Sequence, residues 1–393
     1  MTPSVPLSVV GLLLLLTLAS SETVDSAVDL TGRNADFGAR LYRAVSSQTD
    51  DNVFLSTFTL SAAFLALLST SEGETRDQLL QGLSLTGLDP QTIPDLFQSL
   101  RTTIEQGPLT NTMSQGVAVL PTVGSQVSSS YLDLVQNKFG GNAQNLAYTA
   151  PQEAADTINR WAQERTGDRV QNLVTTLDPQ TQLLLASAAA FKVQFRPSFN
   201  ASFTQDERFY VDKYHVVMVP MMFKADKYFL AYDKSLKAGV LQLLIAGGAA
   251  MLVVLPDEDV DITAVEDKLT GDQIKTWITQ LKKTKLEVQL PRFLLERSYM
   301  LRDVLQTLNF TQVFQDGADL SNINGDKGLK LTQVYHKSVV SVDETSDDLT
   351  AGGSVFSTLP PRLTINRPFL FIIYQQANGN VLSMGRVIDP SKK

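Results

Sequence analysis

Cysteine is absent from the 393 residues, and histidine occurs only twice, at His215 and His336. Without thiols there can be no disulfide framework, no thiolate metal site and no Cys nucleophile, so stability must come from packing. Two histidines leave almost nothing from which to build a metal site or a Cys–His pair. A Ser-His-Asp triad could still use either one, yet no G-x-S-x-G elbow, P-loop or G-x-G-x-x-G accompanies them. The chain is therefore read as no enzyme, with no cofactor and no metal. Clustered basic charge is scarce as well: the formal net charge is −8, which argues against nucleic acid or heparin as an obligatory partner. The nearest thing to a basic patch, Lys282, Lys283 and Lys285, reads as the solvated end of a helix. Long apolar runs are also missing, apart from Val9–Leu18, which is too short to span a bilayer, so no membrane partner is expected.

What is present is ordinary globular material, 43% hydrophobic and 19% charged, enough for a sizeable core. Val9–Leu18 followed by the small residues Ala19, Ser20 and Ser21 reads as a signal peptide over 1–21, leaving 22–393 as a single domain. Asn200 and Asn309 each open an N-x-S/T acceptor and are candidate glycan sites, in keeping with a protein secreted to the extracellular space.

A polar stretch runs to about Asn34, and Phe37, Leu41, Ala44 and Val45 then mark one face of a helix beginning there. Leu60, Ala63, Phe64, Leu67 and Leu68 repeat the pattern behind Ser56, Thr57 and Thr59, any of which could be the N-cap, and this helix is apolar nearly all round. Further helices are predicted at Pro151–Glu164 and Thr270–Lys282. Met251–Pro256 and Phe369–Tyr374 read as fully buried strands, and Leu286–Leu290 as a half-buried one. From Thr332 to Asp343, alternation puts Val334, His336, Ser338, Val340 and Val342 on one face, so His336 points inward. Helices dominate the first half and strands the second, without repeat or linker: an α+β chain.

The segment LTINRPFLFII (Leu363–Ile373) followed by MGRVIDP (Met384–Pro390) resembles the signature of the serpin superfamily. Other landmarks lie upstream in the expected order: NVFLS from Asn52, INRW from Ile158, TGDRV from Thr166, VPMM from Val219, LPRF from Leu290 and FQDGADLS from Phe314. The likeness covers essentially the whole chain after the leader and is greatest to the alpha-1-antitrypsin-like branch. It implies the serpin fold, with three β-sheets, eight to nine helices and an exposed reactive-centre loop at about 346–359. It also implies a mechanism in which a protease attacks the loop and the cut loop inserts as a new strand of the main sheet. Independently, Thr345–Pro361 is small, polar and glycine-bearing and ends in two prolines, as a cleavable exposed loop should.

Inhibitory members carry a hinge reading like Glu-Glu-Gly-Thr before a run of alanines. Here Glu344 fits, but Ser346 replaces the pivot glycine, Asp347 the threonine, and Leu349 and Thr350 the first alanines, with Asp348 between them. On the family's geometry Asp347 would turn inward on insertion, and an unpaired carboxylate in a low-dielectric sheet costs several kcal/mol. A barrier higher by about 3 kcal/mol slows insertion roughly a hundredfold. The interval from Glu344 to Pro360 is also about three residues short for that branch, roughly 10 Å of extended chain. At positions resembling sheet-opening control points, Ser187 stands for an asparagine beside His336 and Phe195 for a tryptophan, while Ser56 and Thr59 fall in an altered Ser-Pro-x-Ser pattern.

The leading expectation is a secreted, monomeric serpin that inhibits weakly or not at all and serves as a carrier, hormone precursor or binding protein. A small hydrophobic ligand or a receptor would then be its partner. The alternative is a working suicide inhibitor of a chymotrypsin- or elastase-like secreted serine protease, cut beside Phe356, Ser357 or Thr358. No Arg or Lys lies between Thr345 and Pro361, so a trypsin-like target fits neither reading.

Overall fold

The computed structural model describes residues 29–105, 109, 112–325, 328–344 and 360–393. Among these, nine α-helices precede and separate the strands of two hydrogen-bonded sheets: α1 (29–46), α2 (Thr57–Leu68), α3 (Gly73–Gly82), α4 (Ile93–Glu105), α5 (Ser129–Phe139), α6 (Pro151–Thr166), α7 (Ile262–Glu266), α8 (Gly271–Gln280) and α9 (Arg302–Thr307). Helix α1 takes in the polar stretch expected to precede it. Leu30 and Asn34 are buried on the same stripe as Phe37, Leu41 and Val45, so burial extends the helix backwards past its polar composition. All twelve residues of α2 are buried, as its all-round apolar surface requires. Ser56 holds its N-cap position, but without a side-chain cap hydrogen bond. Pro151 opens α6 and Gly167 closes it at φ 58°, the left-handed conformation that ends many helices.

The smaller sheet contains β2 (Met113–Pro121), β3 (Asn142–Ala143), β4 (Leu183–Val193), β10 (Phe293–Met300) and β11 (Leu331–Val342) in the order β10-β11-β4-β2-β3. The larger has nine strands: β1 (Val53–Leu55), β5 (Gln205–Tyr210), β6 (Val216–Asp233), β7 (Ala238–Ile245), β8 (Ala249–Pro256), β9 (Lys282–Pro291), β12 (Arg362–Thr364), β13 (Phe369–Gln375) and β14 (Val381–Val387). Three sheets were expected. Hydrogen bonding joins two of them, because β6 runs on for 18 residues and pairs β5 and β9 along most of its length and β7 at its end. The strands at Ala249–Pro256 and Phe369–Gln375 are buried throughout. Leu286–Leu290 is more buried than an alternating strand should be, since Glu287 is covered as well and bonds Arg362. Lys282, Lys283 and Lys285 are exposed but do not end a helix. Helix α8 stops at Gln280, and these lysines open β9, where pairing with β6 overrides the local helical pattern.

In the five-stranded sheet β4 and β11 are parallel and directly paired, from Leu331 against Leu183 to Val342 against Val193. Alternation sorts β4 between two cores. Leu185, Phe191 and Val193 join the main cluster, whereas Ala186, Ala188 and Ala190 face Ile158, Trp161 and Ala162 of α6. A buried ion pair with a tyrosine partner ties α1, α7 and β14 together. Arg386 of β14 donates to Glu266 of α7 at 2.9 Å, and Tyr42 of α1 donates to the same carboxylate at 2.5 Å. Arg386 also donates to the carbonyls of Asp51 and Thr49, so its guanidinium is spent internally.

Candidate functional site

The chemistry that the resemblance implies would sit at the β4–β11 seam and at the loop leaving β11. Alternation along β11 buries Val334, His336, Ser338, Val340 and Val342 together. His336 is fully buried, and its two ring nitrogens meet different elements, the N-cap of α2 and strand β4. Nε2 accepts from the Ser56 amide at 3.1 Å, and Nδ1 lies 3.0 Å from Ser187 Oγ. An amide can only donate, so Nε2 carries no proton, and the neutral ring must carry its hydrogen on Nδ1 and donate it to Ser187. Ser187 is directly opposite His336 in the β4–β11 register, so this bond crosses the seam.

The cluster widens from there. Ser56 Oγ bonds Thr59 Oγ1 at 2.7 Å, and Thr59 donates to Gln115 Oε1 of β2 at 2.7 Å. Ser338 donates to the Phe54 carbonyl at 2.7 Å, while the Phe54 amide donates to Tyr299 Oη of β10 at 3.2 Å. The Tyr299 ring stacks on His336 with centroids 6.3 Å apart. Strands β2, β4, β10 and β11 are thereby stitched to β1 and the start of α2, with each polar group named finding a partner. Four of the five residues marked in the sequence, His336, Ser187, Ser56 and Thr59, meet here. Phe195 does not take part: it packs edge-on against Phe199 at 5.4 Å and lines a small cavity of about 30 Å³.

Glu344 is the last described residue before the loop. Its carboxylate accepts two bonds from Arg292, at 2.9 and 2.7 Å, and a third from the Thr204 hydroxyl. Burial works against its ionised form, but the bonds from Arg292 and Thr204 outweigh burial and hold the carboxyl below its usual range. This fork anchors the loop's base to residues flanking β5 and β9. Ser346, Asp347, Asp348, Leu349, Phe356, Ser357 and Thr358 lie outside the described residues, as does the leader.

Asn200 is part-exposed at the start of its acceptor, with its side-chain oxygen accepting from both the amide and the hydroxyl of Ser202. Asn309 is exposed and left-handed at φ 67°, whereas Phe310 beside it is buried. His215 is in a surface turn with Asp212, 2.6 Å away. Among the described residues no group of three or more His, Asp or Glu side chains could hold a metal ion.

Sequence reading missed Arg292, Thr204, Gln115 and Tyr299. Arg292 is 52 residues from Glu344, and nothing local in either segment points to the other. Ser338 could have been found, because it shares the inward face with His336.

Comparison with known proteins agrees with this geometry. The family of serpins (serine protease inhibitors) matches residues 32–390. The chain is 31% identical over 369 residues to the protein Z-dependent protease inhibitor of Mus musculus, covering 92% of this chain and 82% of that protein. The crystal structure of the mouse protein superposes with a TM-score of 0.87 over 94% of this chain and 99% of that one, at 31% identity. The likeness in sequence extends over 369 residues and so well beyond Phe209–Phe314. Alpha-1-antiproteinase of Rattus norvegicus is 30% identical over 365 residues, 91% of this chain and 88% of that protein. Human thyroxine-binding globulin complexed with thyroxine superposes with a TM-score of 0.86 at 27% identity, over 93% and 99% of the two chains.

Burial pushes the His336 imidazole down to about 3, against about 6.5 in an unfolded chain. Between these values the unfolded state binds a proton that the native state refuses, so the neutral ring's contribution is complete above about pH 6.5 and drains away as pH falls. Chemical denaturation at pH 7 and pH 5 should show His336→Asn losing about 2 kcal/mol less than the parent over that interval. Equal losses would contradict the assignment.

Proposed function

Because the chain belongs to the serpin family, we propose that it is a secreted serpin whose loop is cut by serine proteases but traps them weakly or not at all. The supporting observation is what borders the seam at the end nearest Glu344. Val340 and Val342 face inward there, opposite Phe191 and Val193, and all four are buried in the main apolar cluster. On the family's geometry the Asp347 side chain would enter this end. There it would meet the hydrocarbon side chains of these four residues, among which an ionised carboxylate is strongly disfavoured. Protonation or retreat would each delay insertion while water hydrolyses the acyl bond. A role as carrier or binding protein then becomes the alternative use of the fold, and a thyroxine-binding globulin is among the proteins of the same shape.

The second reading, a working inhibitor, draws on Phe356, which suits a chymotrypsin-like pocket, and on relatives named as protease inhibitors. Chymotrypsin and elastase at near-equimolar ratio distinguish the two. The parent should be cut near Phe356 with little SDS-stable complex, and Asp347→Thr should raise the complexed fraction. Complex as the main product of the parent would make the protein an inhibitor despite Asp347.

Secretion and glycosylation form part of the same reading. Expression in a mammalian secretory line should deliver protein to the medium lacking the leader, with a mass that falls by two glycans on peptide N-glycosidase treatment. Intracellular retention with the leader intact would contradict it.

A further inference from the structure

The two glycan acceptors sit in opposite settings. Asn200 is part-exposed and Ala201 and Ser202 are exposed, and the Asn200 side-chain oxygen accepts from the Ser202 amide at 2.9 Å and from its hydroxyl at 2.8 Å. The carboxamide and the hydroxyl two residues on, the pair that defines an acceptor, are thus turned towards each other with no buried residue between them. The second acceptor is built into the core at its middle residue. Asn309 is exposed, but Phe310 is 1% exposed, and its ring packs against Phe37 of α1 and Phe64 of α2 with centroids 6.2 and 5.5 Å away. The ring also covers the end of α3: Gly82 has no side chain, and a Cβ placed there would stand 2.4 Å from it.

Thr311 is held as firmly. Gln78 of α3 accepts through Oε1 from the amides of Thr311 and Gln312, at 2.8 and 2.6 Å, and donates through Nε2 to the Thr311 hydroxyl at 3.0 Å. One carboxamide thereby uses both of its ends on the acceptor segment. The chain beyond is fastened to the same helix and its N-cap, the Asp319 amide donating to Thr75 Oγ1 at 2.9 Å and the Glu72 amide to the Asp319 carbonyl at 3.0 Å. A glycan transferase has to take Asn309 and Thr311 together, and it cannot do so without drawing Phe310 from the core and breaking the Gln78 clamp. Opening on that scale is rare in the packed part of a native domain.

We infer that Asn309 receives its glycan only before the chain closes around Phe310, whereas Asn200 accepts one before or after folding. The inference rests on the reading of the chain as secreted and glycosylated. In the transfer, Asn309 Nδ2 bonds to the anomeric carbon of an oligosaccharide carried on a lipid diphosphate. The sugar–phosphate bond breaks, the lipid diphosphate leaves with the bonding electrons, and the amide nitrogen gives up one proton to a base of the transferase. The product then folds without conflict, because Asn309 is exposed and its φ of 67° is one that asparagine tolerates. Chain order sets the timing. Gln78 precedes Thr311 by 233 residues, and Phe37 and Phe64 come earlier still, so these partners have all been made when Phe310 emerges. Transfer at Asn309 therefore races docking onto α3, and the occupancy of the site reports which came first.

The test uses the full chain without its leader, made free of glycans in bacteria and purified folded, then incubated with solubilised oligosaccharyltransferase and its lipid-linked oligosaccharide. Occupancy of each site is read by mass spectrometry after enzymatic release in heavy-oxygen water. Asn200 should be modified, and Asn309 should lag it at least about tenfold. Phe310→Ser, which keeps the acceptor pattern, should bring Asn309 up to the level of Asn200, and Gln78→Ala should raise it part of the way. A variant that unfolds still exposes the acceptor, so lost stability does not spoil the comparison. Modification of Asn309 in the folded parent at the rate of Asn200 overturns the inference, as does an Asn309 that stays bare in Phe310→Ser or an Asn200 that stays bare in the parent. Protein secreted with the Asn200 glycan alone would contradict the expectation of two glycans yet support this inference, since closure would have won the race.

Discussion

The bond from the Ser56 amide to His336 Nε2 fixes the imidazole as neutral, and the remaining ring hydrogen then reaches across the seam to Ser187. Much of the five-stranded sheet follows from that arrangement. With the ring neutral, β4 and β11 can be buried side by side without an uncompensated charge, and the start of α2 is tied to both. Were the ring protonated, Nε2 would also become a donor facing the Ser56 amide, and two donors would point at one another. Burial and tautomer therefore support each other, and the seam is most secure when the ring is least basic.

A different kind of contact guards the end of the seam. Glu344 is held by Arg292 and Thr204, with 6% of its side chain exposed. A bidentate guanidinium–carboxylate pair of this geometry sits at the strong end of such contacts, and losing one partner would leave a mostly covered charge. Just inside it, Val340, Val342, Phe191 and Val193 present buried hydrocarbon side chains. The fold thus keeps a charge in place at the loop's base, beside an apolar end of the seam.

The elements legible in the sequence were those set by strong local pattern. Periodicity located α2 and α6, alternation put His336 on the inward face, and continuous apolar runs marked β8 and β13. The misreadings share a cause. Asn34 is polar yet buried in α1, and Lys282 continues a helical pattern yet opens β9, because tertiary pairing overruled local composition at both places. In the seam, the family pattern pointed to Ser187, Ser56 and Thr59, but Gln115, which Thr59 bonds, and Tyr299, which stacks on His336, come from strands distant in sequence. The Arg292–Glu344 pair was hidden for the same reason, and the continuity of β6 through two expected sheets has no local signal at all.

The central claim is that this seam does not readily accept the cleaved loop, and thermal unfolding before and after cleavage near Phe356 tests it most directly. Insertion would add a strand between β4 and β11 and pair its backbone on both sides. On the family's geometry Asp347 would then face Val342 and Val193, and if that placement blocks insertion as proposed, the cleaved protein should unfold within a few degrees of the native one. A large upward shift on cleavage would mean that the sheet had opened and taken the strand, and would contradict the account.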